Sequence, residues 1–300
     1  MPKATTDWVL LVLPGLIWGA SLLFIAEGLT AFSPNGVTFS RIAIGFVALS
    51  LVPAARRPIA RADWPATAGL GVLWLAFPLT MFPFAEQEVS SALTGMLNGA
   101  TPLFVAAVAS LLARQLPERG ALVGLAVGFA GAVLMALPDL GGPSRARGIA
   151  LILVALVSYG IALNLARPLQ QRNGALPVLW RALGVAVLLT APLGVPAVVH
   201  GHWSLRPALA MLMLGALGTG LAQVLSAVAA GWLGATLASS TAFLIPVVAL
   251  VLGITIRHES VAVVSVVGAA TCLLGAAIVR RPDLLAWSRP APAGVCPAAK

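Results

Sequence analysis

Ten apolar runs, each of roughly span length, alternate with short polar punctuation along the 300 residues. They fall at about 8–28, 37–55, 66–84, 88–113, 120–138, 148–167, 177–199, 207–230, 235–256 and 261–279, bounded by charges, Pro and Gly. About 20 apolar residues in a helix cross the hydrocarbon layer of a bilayer. The runs are too long for strands and lack polar alternation, which excludes an outer-membrane barrel. Lipid offers no partners to the backbone, so the runs are predicted to be helices. The first run is longer than a signal-peptide core and is expected to be a retained helix. The expected fold is an all-α polytopic membrane protein of about ten transmembrane helices.

Composition supports this. Hydrophobic residues make up 60% of the chain and charged residues 9%, against about 25% charged in a soluble domain. Mean hydropathy is +1.00. The net charge of +9 raises nucleic acid as a partner, but no Lys/Arg-rich run or aromatic-interleaved basic patch exists. The arginines stand singly or in pairs between apolar runs, as topology signals do. With the N-terminus inside, the inner segments carry Lys3, Arg56, Arg57, Arg61, Arg114, Arg119, Arg167, Arg172, Arg280, Arg281, Arg289 and Lys300. The outer loops carry only Arg145, Arg147, Arg206 and Arg257. This bias predicts both termini cytoplasmic, in a bacterial-type inner (plasma) membrane.

The chain repeats itself. Pro102 precedes Gly124 by 22 residues and Gly131 by a further 7, and Pro246 precedes Gly268 and Gly275 by the same steps. "LIWGASLLFIA" is answered by "LVSYGIALNLA", and Arg41 and Arg181 fall at matching points. Each copy holds five helices. Five is odd, so the second copy enters the membrane upside down, an inverted-topology repeat of the kind secondary transporters use. The expected division is a first repeat at 1–147, a second at 148–280 and a disordered cytoplasmic tail at 281–300.

Polar residues inside spans are the pointers to function. Arg41 and Glu27 are expected near the outer ends of adjacent helices, close enough to pair as a gate or substrate-carboxylate site, or as a purely structural pair. Arg181 has no evident acidic partner; backbone carbonyls, lipid phosphate or an anionic substrate could satisfy it. Asn98 and Thr101 precede Pro102, while Ser240 and Thr241 precede Pro246. Prolines at matching points of both halves favour kinked helices 4 and 9 as cavity walls. Trp18, Tyr159, Asn164 and Gln223 complete the candidate lining, with packing as the alternative for each. Glu27 is the one carboxylate expected within a helix, which makes protons a candidate coupling ion.

Catalytic and cofactor chemistry is not expected. Cys272 lies in an apolar run and Cys296 in the tail, with no metal-like spacing, and His200-x-His202 lacks a third ligand. No phosphate-binding Gly-rich loop with Lys-Ser/Thr is present. A membrane-embedded enzyme would need clustered His, Asp or Glu, so no metal, cofactor or enzyme activity is expected. A structural membrane subunit is a weaker alternative, because matched polar-Pro sites would serve no purpose in it.

The order and spacing of Trp18-Gly19, Arg41 after "SPNGVTFS", Pro102-Leu103-Phe104, Pro246, Glu259, Gly268 and Gly275 resemble the drug/metabolite transporter superfamily, in its EamA-type branch. The resemblance spans about residues 8–280. It implies ten helices, cytoplasmic termini, a central cavity and movement of small metabolites, often export of amino acids or related compounds. Two departures stand out. Gln115 replaces the Glu that members usually carry 13 residues after the first Pro, with Glu118 three residues on, and Tyr159 replaces Trp before Gly160. The expected function is a secondary transporter working by alternating access on a small-molecule substrate in the lipid bilayer. Import fits the same residues as well as export, and no residue pattern sets an oligomeric state.

Overall fold

The computed structural model describes residues 3–139, 142–233 and 239–280. The tail at 281–300, with Cys296, lies outside the described residues. Among the described residues ten helical segments follow one another: α1 (Lys3–Gly28), α2 (Pro34–Ser50), α3 (Arg61–Ala85), α4 (Ser91–Ala113), α5 (Arg119–Asp139), α6 (Pro143–Asn173), α7 (Ala175–Val199), α8 (Leu205–Ala229), α9 (Leu244–Arg257) and α10 (Val263–Arg280). Among the described residues there is no strand. α1 and α3 to α8 are long and apolar enough to cross a membrane, and α9 and α10 are apolar but shorter. The all-α polytopic fold is therefore the one expected, with differences at helix ends. α2 stops at Ser50 rather than 55, because Pro53 opens a tight turn at Pro53–Arg56. α6 is longer at both ends than the apolar run at 148–167, since polar Arg145 and Arg172 continue the helix beyond the hydrophobic stretch.

α5 and α10 cross through glycines. A Cβ on Gly124 would lie 2.9 Å from the Gly275 carbonyl oxygen, and one on Gly131 would lie 2.7 Å from that of Gly268. Residue numbers rise along one helix as they fall along the other, so the pair is antiparallel. From Pro102 onward, adding 144 to a first-half number gives its second-half counterpart, and this operation exchanges the two contacts. A two-fold axis in the membrane plane produces that exchange, and the two five-helix repeats are inverted. In lipid the helices gain by close backbone approach rather than by the hydrophobic effect, which is why small residues occupy the crossing.

Three further details obey the same symmetry. Arg114 and His258, 144 residues apart, both end their helices in the left-handed region (φ 51° and 54°). α3 and α8 both widen into π-helix, at Gly71–Ala76 and Leu214–Leu221. α4 breaks into Ser91–Asn98 and Thr101–Ala113 just before Pro102, and α9 is entered through a 3-10 turn at Ser239–Phe243 just before Pro246. α4 and α9 meet where a Cβ on Gly95 would strike Ala249 and one on Gly99 would strike the Pro246 ring. Gly174 alone joins α6 to α7, with φ 85°, a conformation that glycine adopts without strain.

The α5–α10 crossing predicts an asymmetric response to added volume. Gly275→Val, which drives side-chain atoms into the Gly128 backbone, should destabilise the protein by about 1–3 kcal/mol. Gly69→Ala in α3, where nothing lies within 4 Å of the new methyl, should be neutral or stabilise by up to about 1 kcal/mol. Thermal melting of the two variants in detergent checks both signs.

Candidate functional site

The face at which α1 begins is called here the near face, and the other the far face. A cavity of about 370 Å³ lies at the seam of the two halves, within the usual range for small-molecule sites. Its deep end is walled by Leu22 of α1, Arg41 of α2, Phe82 of α3 and Asn98 of α4. Its lining continues toward the near face through Gln170 of α6, Leu176 of α7, Gln223 and Ser226 of α8 and Ala242 before α9. Trp18, Thr101 and Tyr159 also line it. Six of the side chains expected from sequence thus converge: Trp18, Arg41, Asn98, Thr101, Tyr159 and Gln223.

Arg41 is the charged group in this lining. It is buried, and its Nε donates to Thr219 Oγ1 at 3.1 Å. Its terminal amino groups have no hydrogen-bond partner among the described residues. Thr219 sits in the π-segment of α8, which shifts the backbone so that Gly218 also lends its carbonyl to the cavity wall. The Trp18 indole donates to that carbonyl at 3.0 Å. The other half repeats the device, with Ser158 Oγ of α6 donating to Leu73 O in the π-segment of α3 at 2.6 Å. Tyr159 stacks on Phe82, centroids 6.0 Å apart. Thr101 Oγ1 donates to Asn98 O at 2.6 Å across the break in α4.

The expected Arg41–Glu27 pair does not form. Glu27 ends α1 at the far face, where Arg206 Nε approaches it at 2.8 Å and Arg257 Nη1 at 3.2 Å. Those arginines lie at helix ends and reach it directly, whereas Arg41 is more than a turn deeper and faces Thr219. Asn164 is also not in the lining: its Nδ2 donates to Val105 O and Gly160 O, tying α6 to α4. Thr241 Oγ1 donates to Leu11 O of α1, and the side chain of Ser240 lies outside the described residues. Arg181 lies away from the cavity, over the Trp64 and Trp180 rings at 5.5 and 5.3 Å, and donates to Pro177 O.

The far face is closed by charge. Glu259, just past the end of α9, accepts from Ser91 N (3.1 Å), Ser91 Oγ (2.8 Å) and Ala92 N (2.9 Å). The carboxylate caps the exposed amides at the positive end of α4, where a helix favours an anion. Arg257 bridges Glu259 (3.3 Å) and Glu27. One cluster thus joins the far ends of α1, α4, α8 and α9 above the cavity. At the near face Gln115, the counterpart of Glu259, is exposed, as is Glu118. Among the described residues no three His, Cys, Asp or Glu side chains converge as a metal site.

Sequence reasoning missed Trp74, Thr219, Gln170 and Ser226 of the lining, and it missed that both carboxylate oxygens of Glu86 are shut off from solvent. The two π-segments carry Gly71, Gly215, Gly218 and Gly220, and glycine clustering within an apolar run was the available signal.

A model of the EamA-like transporter family matches residues 8–137 and again residues 146–281. The chain belongs to the EamA-like transporter family. It is a multi-pass membrane transporter, and that membership points away from enzyme activity. A relative from Streptantibioticus cattleyicolor, named a probable terminal-alkyne amino-acid exporter, is 29% identical over 292 residues, covering 95% of this chain and 96% of that protein. An uncharacterized transporter from Archaeoglobus fulgidus is 22% identical, covering 91% of this chain and 98% of the other. One crystal structure superposes with a TM-score of 0.62 at 17% identity, covering 95% of this chain and all of the other, and shows the shared fold.

Glu259→Ala strips two amides and a hydroxyl of their acceptor and removes one partner of Arg257. It should cost about 1–3 kcal/mol and lower the melting temperature, whereas Glu118→Ala at the exposed near-face position should leave it unchanged.

Proposed function

We propose that this EamA-like transporter is a secondary carrier that exports small amphipathic metabolites with a carboxylate, amino acids or their analogues first among them, by alternating access. The observation that carries this reading is Arg41, a buried guanidinium with free amino groups in a largely apolar cavity below a closed far face. A guanidinium in such surroundings favours a carboxylate, which it can grip with two parallel hydrogen bonds. The side-chain amides of Asn98, Gln170 and Gln223 can accept from an ammonium, whose charge the Tyr159 ring also favours. The leucine and phenylalanine walls suit an apolar tail. A terminal-alkyne amino acid, the cargo in the name of the Streptantibioticus relative, has this combination of groups.

Orientation follows from the arginines. All four on the far face are in ion pairs: Arg145 with Asp139, Arg147 with Glu88, Arg206 with Glu27 and Arg257 with Glu27 and Glu259. Among the described residues Arg56, Arg57, Arg61, Arg114, Arg119 and Arg167 of the near face have no ion pair. The larger number of Lys and Arg residues on the near-face segments favours that face as the cytoplasmic one in a bacterial-type inner membrane. The arrangement then represents a carrier open to the cytoplasm and shut to the outside, ready to load cargo for export. The chain is read as two repeats, 1–147 and 148–280, that rock about the seam.

Purified protein in liposomes should move amphipathic amino acids out of the loaded compartment. Arg41→Gln should weaken carboxylate-bearing cargo about ten- to a hundredfold and leave the corresponding amides little affected. Absence of flux for every amino acid and analogue tested would remove this reading. For orientation, an alkaline-phosphatase fusion after residue 280 should be inactive, and strong activity there would reverse the assignment.

A further inference from the structure

Five carboxylates reach the far face, Glu27, Glu86, Glu88, Asp139 and Glu259, against four arginines. The arginines are all engaged with the other four, and Glu86 is left over. Both its carboxylate oxygens are shut off from solvent, with no hydrogen-bond partner among the described residues. It stands just beyond the end of α3, its backbone N–H bonded to Phe82 O. The negative end of the helix dipole therefore lies against it.

The charges that face Glu86 divide in two. Glu259 repels a carboxylate, while Arg257 above and Arg41 below attract one. Arg257 is already shared between Glu27 and Glu259. On the side of α6, which packs against the turn after α3 through Gly148, Arg147 is taken by Glu88. Burial first, and Glu259 second, hold the Glu86 carboxyl well above the usual carboxylate range.

We propose that Glu86 is a proton-binding site that senses whether the far face is open or shut. Its carboxyl keeps the O–H bond while Glu259 caps α4. When Glu259 and Arg257 part from α4 and water enters, that bond breaks and the proton passes to far-side water, leaving a hydrated carboxylate. The proton returns to the side from which it came, so it is not cargo; it sets which way the carrier faces. The shut form binds more protons than the open form. Acid on the far side therefore favours the shut form, and raising the pH through the Glu86 pKa of the shut form favours opening. The proposal rests on the alternating-access reading only in requiring a far-open state.

The test is far-side access to a thiol placed between the cluster and the cavity. Thr94, buried one turn into α4, is replaced by Cys in a C272A/C296A background. A membrane-impermeant methanethiosulfonate is added from the far side of oriented liposomes. Each rate is divided by that of the unfolded chain at the same pH, which cancels titration of the thiol itself. With Glu86 present, the ratio should rise about tenfold as the pH is raised from the ordinary carboxylate range into the alkaline range, because burial lifts the titration of this carboxyl. E86Q keeps the side chain neutral and should stay slow at every pH. E88Q, which alters the neighbouring paired carboxylate, should keep the pH response. A flat profile with Glu86 present, a rise that survives in E86Q, or a loss of response in E88Q equal to that in E86Q overturns the proposal. Liposome flux is read separately, so a carrier that moves cargo while labelling ignores pH sinks this proposal alone.

Discussion

A backbone in lipid must satisfy its own hydrogen bonds, and this constraint organises the protein. Irregular backbone is tolerated only where another group or a polar cavity meets it. The breaks occur where the constraint permits them: before Pro102 and Pro246, and in the π-segments of α3 and α8. Carbonyls at these points find donors: Gly218 O has the Trp18 indole, Leu73 O the Ser158 hydroxyl and Asn98 O the Thr101 hydroxyl. The first two donors tie the first helix of each repeat to the third helix of the other. Cavity formation and inter-repeat packing are therefore one set of contacts.

The inverted symmetry holds in the packing and fails in the charges. Glycine crossings, left-handed helix ends and π-segments recur at matched positions. The far-face cluster does not, because Glu259 has Gln115 as its counterpart and Glu27 has Pro168. A symmetric scaffold gives two packings of nearly equal energy, and a few unequal contacts then decide between them. Here five of the six ion pairs among the described residues lie on the far face, with Arg172–Asp63 alone on the near face, and this inequality favours a far face shut above a cavity lined toward the other.

The residue types that line the cavity explain why intramembrane charge is a sound guide to function and an unsound guide to pairing. Arg41 belongs to the cavity, as its cost in lipid suggested. Its partner is Thr219, brought in by a π-turn, while the acid nearest in sequence sits at a helix end among exposed arginines. Glu86 shows the complementary case, a carboxylate outside the apolar runs. It stands in a short polar turn, where a carboxylate is expected to be hydrated, yet both its oxygens are shut off from solvent.

The sequence alone determined what depends on local composition and period: the ten apolar runs, the repeat and its inversion, the spacing of its glycines and the two proline positions; it also named six side chains that the structure places in the cavity wall. These follow because span length, helix count and small-residue spacing are properties of the chain itself. Tertiary structure decided which charges meet, where the backbone widens into π-helix, that Asn164 and Thr241 bond other helices instead of lining the cavity, and that Glu86 is buried. Those outcomes depend on the distance between elements far apart in the chain. A side chain's partner, and whether water reaches it, are set by what the neighbouring helices place within about 3 Å of it.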